Sequence, residues 1–255
     1  MNNSISMIVV DIDGTLLRDD QTVSEFTIST LRKCKEKGIK LVYATARGIS
    51  AQKLVPIELF DGFARMGGAI AYAGDKLVYS KCISTLEARD LLNTADKAGI
   101  KIAAELNSKH YSNFKIDKVW DWLTYYEICD FNNLDIDVEK IYALPETQEE
   151  IELLKSSSPK GKRIIVTRDN FFMVMHEEAV KSKAVIAIAD YWKIKKSEIA
   201  AFGDDIMDID LLEYCDFGIA VGNALEEVKA AAKYICDTNE NDGVAKWLEE
   251  NVLNS

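Results

Sequence analysis

Two aspartates stand two residues apart in Asp11-Ile12-Asp13-Gly14-Thr15-Leu16-Leu17, directly after the apolar run Met7-Ile8-Val9-Val10. On an extended chain, side chains two apart share a face, so these carboxylates are forced close to one another. Carboxylates that close repel unless a cation binds them or one of them keeps a proton. A bound Mg²⁺ would satisfy the first condition and acid–base work by Asp13 the second. Gly14 permits a sharp turn where backbone comes close to a ligand. A second acidic cluster, Gly203-Asp204-Asp205-Ile206-Met207-Asp208, again follows an apolar run, Ile199 to Phe202. Asp208 lies four residues beyond Asp204, within reach of the same site if a helix starts there. An Asx-turn explains the first cluster alone, and an acidic N-cap the second. Two such clusters at one sheet edge are harder to explain as capping.

The elements needed to position these residues are legible in the flanking sequence. The run from Met7 to Val10 reads as a strand buried on both faces. Ser24 is placed to cap a helix that Gly38 ends, and Leu41-Val42-Tyr43-Ala44 is a second buried strand. Strand, helix and strand at this spacing form a βαβ unit with a parallel sheet. The C-terminal third repeats the alternation, with helices from Lys183, Met207, Ala224 and Val244 and strands at 199–202, 217–221 and 234–236. In such sheets ligands bind beyond the carboxyl ends of the strands, where both acidic clusters fall. The middle differs. Hairpins are expected about Gly74-Asp75 and Asp169-Asn170, and capping boxes at Ser84–Glu87 and Thr147–Glu150. An amphipathic helix is expected to bury Trp120, Trp122, Tyr125 and Tyr126. The expected architecture is α/β, a doubly wound parallel-sheet (Rossmann-like) core of residues 1–79 and 181–255, with an α+β cap domain inserted at 80–180.

The chain has 255 residues with 31 basic and 42 acidic side chains, a formal charge of −11. That balance argues against a nucleic-acid partner, which needs clustered Lys and Arg. Two histidines, His110 and His176, exclude a multi-histidine zinc site. The five cysteines are scattered and odd in number, as in a reduced cytoplasmic protein. The opening Met1–Ser6 lacks a signal-peptide pattern, and no apolar run approaches the ~20 residues of a membrane span. A soluble cytoplasmic chain with no membrane partner, a monomer or weak dimer, is the expectation.

Asp11-x-Asp13-Gly-Thr-Leu, Ala44-Thr45-Ala46-Arg47, Lys181, and Gly203-Asp204-Asp205-x-x-Asp208 follow, in order, the four motifs of the haloacid dehalogenase superfamily. With the insertion between the second and third motifs, Gly222-Asn223-Ala224, and Asn241 to Ala245, the chain resembles the Cof-like phosphatases of subfamily IIB. The resemblance implies a Mg²⁺-dependent phosphatase acting on a small phosphorylated metabolite, a sugar phosphate or phosphorylated cofactor. It implies Asp11 as nucleophile, Asp13 as acid and base, and Thr45, Ala46 and Lys181 as phosphate-binding residues. It further implies a metal held by Asp11, the Asp13 carbonyl and Asp204, with Asp208 as a ligand or the orienter of a bound water. Arg47, Asp205, Asn223 and His110 are candidates for contact with substrate or for support of the site. Lys181 is preferred over Lys183 by register. Met207 replaces a family Asn, Ala46 a family Gly, and Ser182 the Gly that usually follows the lysine. A phosphotransferase such as a sugar-phosphate mutase uses the same residues, and a non-catalytic phosphometabolite-binding protein is the alternative from another class.

Overall fold

The structure is a computed structural model that describes residues 5–167 and 169–254, so most of the opening segment Met1–Ser6, read above for a signal-peptide pattern, lies outside the described residues. The chain forms two compact units, Lys81–Ala179 and the segments on either side of it.

The flanking unit begins with β1 (Met7–Val10), a turn at Ile12–Leu16, α1 (Glu25–Glu36) and β2 (Lys40–Ala44). Ser24 caps α1 by accepting the Thr27 N–H, and Gly38 leaves it at φ +83°. Next come β3 (Gly62–Arg65), β4 (Ile70–Ala73) and β5 (Lys76–Ser80). The strand at Gly62–Arg65 carries no long apolar run of the kind that marks its neighbours, because Gly62 and Arg65 leave only Phe63 and Ala64 between them.

The inserted unit contains β6 (Ile83–Ser84), α2 (Arg89–Lys97), β7 (Lys101–Leu106), β8 (Lys109–Ser112), β9 (Tyr126–Ile128), β10 (Asp137–Val138), β11 (Lys140–Leu144), α3 (Gln148–Ser157), β12 (Lys162–Val166) and β13 (Phe172–His176). Six of these strands form a sheet in the order β12-β13-β11-β7-β8-β9. Leu91, Leu92 and Ala95 of α2 and Leu154 of α3 pack with Ile102, Ala104, Ile141 and Val174 of the sheet. Alternate residues of the same strands, Ala103, Tyr142 and Met173, pack with Ile116, Trp120 and Phe171, as the period of two requires. The inserted unit departs from its sequence pattern at two places. Ser84–Glu87 is not a capping box: Ser84 is in a strand, Thr85 Oγ1 donates to the Leu134 and Ile136 carbonyls, and α2 starts only at Arg89. The aromatic segment is not a helix; Tyr126 enters β9, and Trp122 and Tyr125 are about 60% exposed. Thr147 does cap α3, but the Glu150 carboxylate turns to the Glu146 N–H.

The flanking unit resumes with α4 (Lys181–Trp192), β14 (Ile199–Gly203), α5 (Ile209–Tyr214), β15 (Phe217–Ala220), α6 (Glu226–Ala231), β16 (Tyr234–Ile235) and α7 (Gly243–Leu248). Its eight-stranded sheet has the order β16-β15-β14-β1-β2-β3-β4-β5. The strands from β16 to β3 are parallel, and β4 and β5 add an antiparallel edge. Every residue of β1 and β14 is buried, which their continuous apolar sequence requires in a sheet covered on both faces. From β1 the chain winds one way to β2 and β3 and the other way through β14 to β16. The switch point therefore lies between β1 and β14, where Val10 pairs with Phe202. No helix among the described residues is long and apolar enough to cross a membrane.

Candidate active site

The register of β1 against β14 brings the two acidic clusters together. The Asp11 N–H donates to the Phe202 carbonyl at 3.0 Å, so the carboxyl end of β1 sits beside Gly203 and Asp204. Two glycines make the close approach possible. A Cβ on Gly14 (φ +71°) would lie 2.4 Å from Asp204 Oδ2, and one on Gly203 would lie 2.4 Å from Asp208 Cβ. Lys181, the first residue of α4, is buried and donates from Nζ to Asp11 Oδ1 at 2.6 Å and to Asp208 Oδ1 at 2.5 Å. Lys183 is exposed.

Asp11, Asp204 and Asp208 each bring an oxygen within 4.8 Å of the others. Their oxygens are not equivalent. Asp208 uses both: Oδ1 takes Lys181 Nζ, and Oδ2 accepts the backbone N–H groups of Asp204 and Asp205 at 3.1 and 3.2 Å. Asp204 Oδ1 accepts from Thr15 Oγ1 at 2.8 Å. The second oxygens of Asp11 and Asp204 accept no hydrogen bond from a described residue, and both side chains line a cleft of about 280 Å³. Two open carboxylate oxygens in a cleft suit a hard divalent cation.

Charge makes the same point. Three carboxylates against one ammonium would carry a net negative charge in a largely buried site. Burial, with the Asp208 charge beside it, pushes Asp204 up to about 7. Burial and the charges of Asp208 and Asp204 hold Asp11 well above the usual carboxylate range, against the pull of Lys181. Burial works against the Lys181 charge, but Asp11 and Asp208 outweigh it and hold the ammonium more firmly protonated than an ordinary lysine.

Asp13 lies at the cleft but apart from this cluster. Arg47 holds it by two hydrogen bonds, Nε to Oδ2 at 2.7 Å and Nη2 to Oδ1 at 2.6 Å, and also donates to Gln21 Oε1. Thr45 is buried, with Oγ1 accepting the Arg47 N–H, and Ala46 lines the cleft. Thus the segment after β2 supplies Ala46 to the cleft and Arg47 to Asp13.

A family profile for haloacid dehalogenase-like hydrolases matches residues 8–248. The chain belongs to that family. A 5-amino-6-(5-phospho-D-ribitylamino)uracil phosphatase from Bacillus subtilis is 29% identical, over 98% of this chain and 96% of its own. Among solved structures, a phosphatase of the haloalkanoate superfamily from Bacteroides thetaiotaomicron is 26% identical with a TM-score of 0.82, covering 98% of this chain and 96% of its own. A subclass IIB sugar phosphatase is likewise 26% identical with a TM-score of 0.82, covering 96% and 98%. The α/β core with an inserted cap is the fold of these haloacid dehalogenase-like hydrolases.

The supporting candidates divide. Asn223 reaches the turn at Ile12–Leu16 of this haloacid dehalogenase-like hydrolase: its Nδ2 donates to the Gly14 carbonyl at 2.7 Å, and its Oδ1 accepts the Asn239 N–H. Asp205 caps the turn at Ile206–Asp208 by accepting the Ile206 N–H. His110 lies in the inserted unit, buried against Tyr142, whose hydroxyl is 2.9 Å from Nδ1, with Glu105 3.7 Å from Nε2. Burial lowers its tendency to take up a proton. Met207 lines the cleft. Thr15 and Gln21 were not anticipated. Thr15 follows Gly14 inside the first motif, and its hydroxyl was the signal available; Gln21 has none.

Proposed function

We propose that this hydrolase is a phosphoric monoester hydrolase that releases phosphate from small metabolites, with Asp11 as nucleophile. The observation that carries the reading is Lys181 Nζ held between Asp11 and Asp208, beside the open oxygens of Asp11 and Asp204. An anionic cluster with one buried cation is poised to accept a phosphoryl group together with a second cation.

The free oxygen of Asp11 attacks phosphorus as the bond to the ester oxygen breaks, and that oxygen takes a proton from Asp13. Water then attacks phosphorus, passing a proton to Asp13, and the bond to Asp11 breaks to free phosphate. Lys181 neutralises the phosphoryl oxygens during both steps. Thr45 assists because its Oγ1 already accepts from Arg47 N–H, which leaves its own proton to donate. Arg47 fixes the direction of the Asp13 carboxylate. A divalent cation, Mg²⁺ in this reading, would be held by Asp11, Asp204 and the Asp13 carbonyl and would add positive charge at the transferring group. Asp208, with both oxygens engaged, organises Lys181 and the Asp204 backbone rather than binding that cation directly.

The relatives named above act on a phosphoribityl compound and on sugar phosphates, and a sugar or polyol phosphate is the substrate class we propose. The core cleft presents mainly acids, so we assign recognition of the organic part to the inserted unit. Phosphate release from a panel of sugar, polyol and cofactor phosphates tests the reading. Turnover that stops on chelation of divalent metal and in Asp11→Asn is expected. Turnover that survives both would overturn the mechanism, and an isomerised sugar phosphate without free phosphate would identify a phosphotransferase.

A further inference from the structure

Lys181 opens α4, and its backbone position is set by the next residue, Ser182. Asp210, in the first turn of α5, accepts from both Ser182 N at 2.9 Å and Ser182 Oγ at 2.6 Å through one oxygen, Oδ2. Val180, the residue before α4, makes no side-chain cap. The orphan N–H of the first turn is therefore satisfied from another helix. A lysine at a helix N-terminus faces the positive end of the dipole, and a carboxylate there offsets it. Two residues before Asp210, Asp208 takes the other end of the same lysine, Nζ, at 2.5 Å. One short segment thus holds Lys181 at its tip and at the backbone of its neighbour. The lysine stem has four rotatable bonds, and with both ends fixed it is buried and directed at Asp11.

A second observation separates this from ordinary helix capping. Asp210 Oδ1 is buried and has no hydrogen-bond partner. A serine or threonine at position 180 would cap the helix without leaving a carboxylate oxygen unsatisfied. The Ser182 hydroxyl, which a backbone cap does not need, makes the shorter of the two bonds.

We propose that Asp210, acting through Ser182, is a positioning residue that fixes Lys181 for phosphoryl transfer. The role rests on the phosphatase reading above. Misplacement of the ammonium is felt when charge develops on the transferring group, more than when substrate binds.

The experiment compares wild type, Asp210→Ala, Asp210→Asn and Ser182→Gly in steady-state kinetics and in amide hydrogen exchange of the 180–184 segment. Asp210→Ala is expected to lower kcat about 10-fold or more, with KM changed less than about 3-fold, and to speed exchange of that segment. Asp210→Asn keeps an acceptor oxygen and is expected to recover most of kcat. Ser182→Gly keeps the backbone donor and is expected to fall between. Unchanged exchange in Asp210→Ala would overturn the clasp itself. Faster exchange with unchanged kcat would overturn the positioning role. A kcat loss that Asp210→Asn does not recover, or a loss shared with KM, would assign Asp210 a different role and also overturn it. If wild type hydrolyses no phosphate ester, the phosphatase reading fails and takes the positioning role with it, while the exchange measurement still decides the clasp.

Discussion

At the scale of single residues, the carboxylate oxygens of the candidate site are not equivalent. Asp208 is saturated by Lys181 and two backbone N–H groups, whereas Asp11 and Asp204 each keep one oxygen open. In the proposed mechanism Asp11→Asn removes the nucleophile while keeping an acceptor for Lys181 and relieving like-charge repulsion. Turnover should fall about 10³-fold or more, with Tm unchanged or raised, as parallel kinetic and thermal melts would show. Gly14 is under two constraints, its φ of +71° and the 2.4 Å from its Cβ position to Asp204 Oδ2. Gly14→Ala should cost about 1–2 kcal/mol from the backbone alone and displace Asp204. Denaturant unfolding and turnover at saturating metal should both register it. Asp11, Asp13, Asp204 and Asp208 were legible because residue type and the strand before them coincide. That Asp208 is saturated while Asp204 is open was not legible, since it depends on which side of Asp208 faces Gly203.

At the scale of elements, the turn at Ile12–Leu16 is held by the C-terminal loop. Asn223 donates to the Gly14 carbonyl, and buried Asn239 donates to the Leu17 carbonyl at 3.0 Å. Asn239→Ala leaves that carbonyl unpaired and should destabilise by about 1–3 kcal/mol, measured as a shift in urea midpoint. Asp237 ties the loop down by accepting from Lys246, Asn241 and Thr238, and these bonds, Lys246 first, lower its pKa to about 2 from an ordinary 3.8. A carboxylate whose pKa is lowered on folding stabilises above its unfolded value. Its contribution is therefore complete above pH 3.8 and lost as pH falls through about 2. Acid unfolding of Asp237→Asn should show less pH dependence in that interval than wild type. The βαβ alternation of the core was readable because buried parallel strands are continuous apolar runs. The inserted unit was less so: Ser84-Thr85 matches a capping box, but Thr85 spends its hydroxyl on two carbonyls across the unit. The aromatic segment 120–126 has helical spacing by composition, yet Tyr126 is taken into the edge of a sheet.

At the scale of the whole molecule, the charge of −11 is distributed over surface and site, and the proposed function draws on a few of those carboxylates, the buried Asp11 and Asp208, the partly buried Asp204 and the more exposed Asp13. Stability resides in the apolar layers. Phe202, fully buried in β14 with its ring against Trp247, should cost about 3–5 kcal/mol as Phe202→Ala. Trp122→Ala, at an exposed position, should stay within about 0.5 kcal/mol; thermal melts of the two variants give the contrast. The proposed mechanism requires phosphate to pass through a covalent bond to Asp11. Its most direct measurement is acid quenching of the protein during turnover of a sugar phosphate, followed by peptide mass spectrometry. One added phosphoryl group is expected on the peptide carrying Asp11, absent in Asp11→Asn. Steady phosphate release with that peptide unmodified, or with Asp11→Asn still turning over, would contradict it.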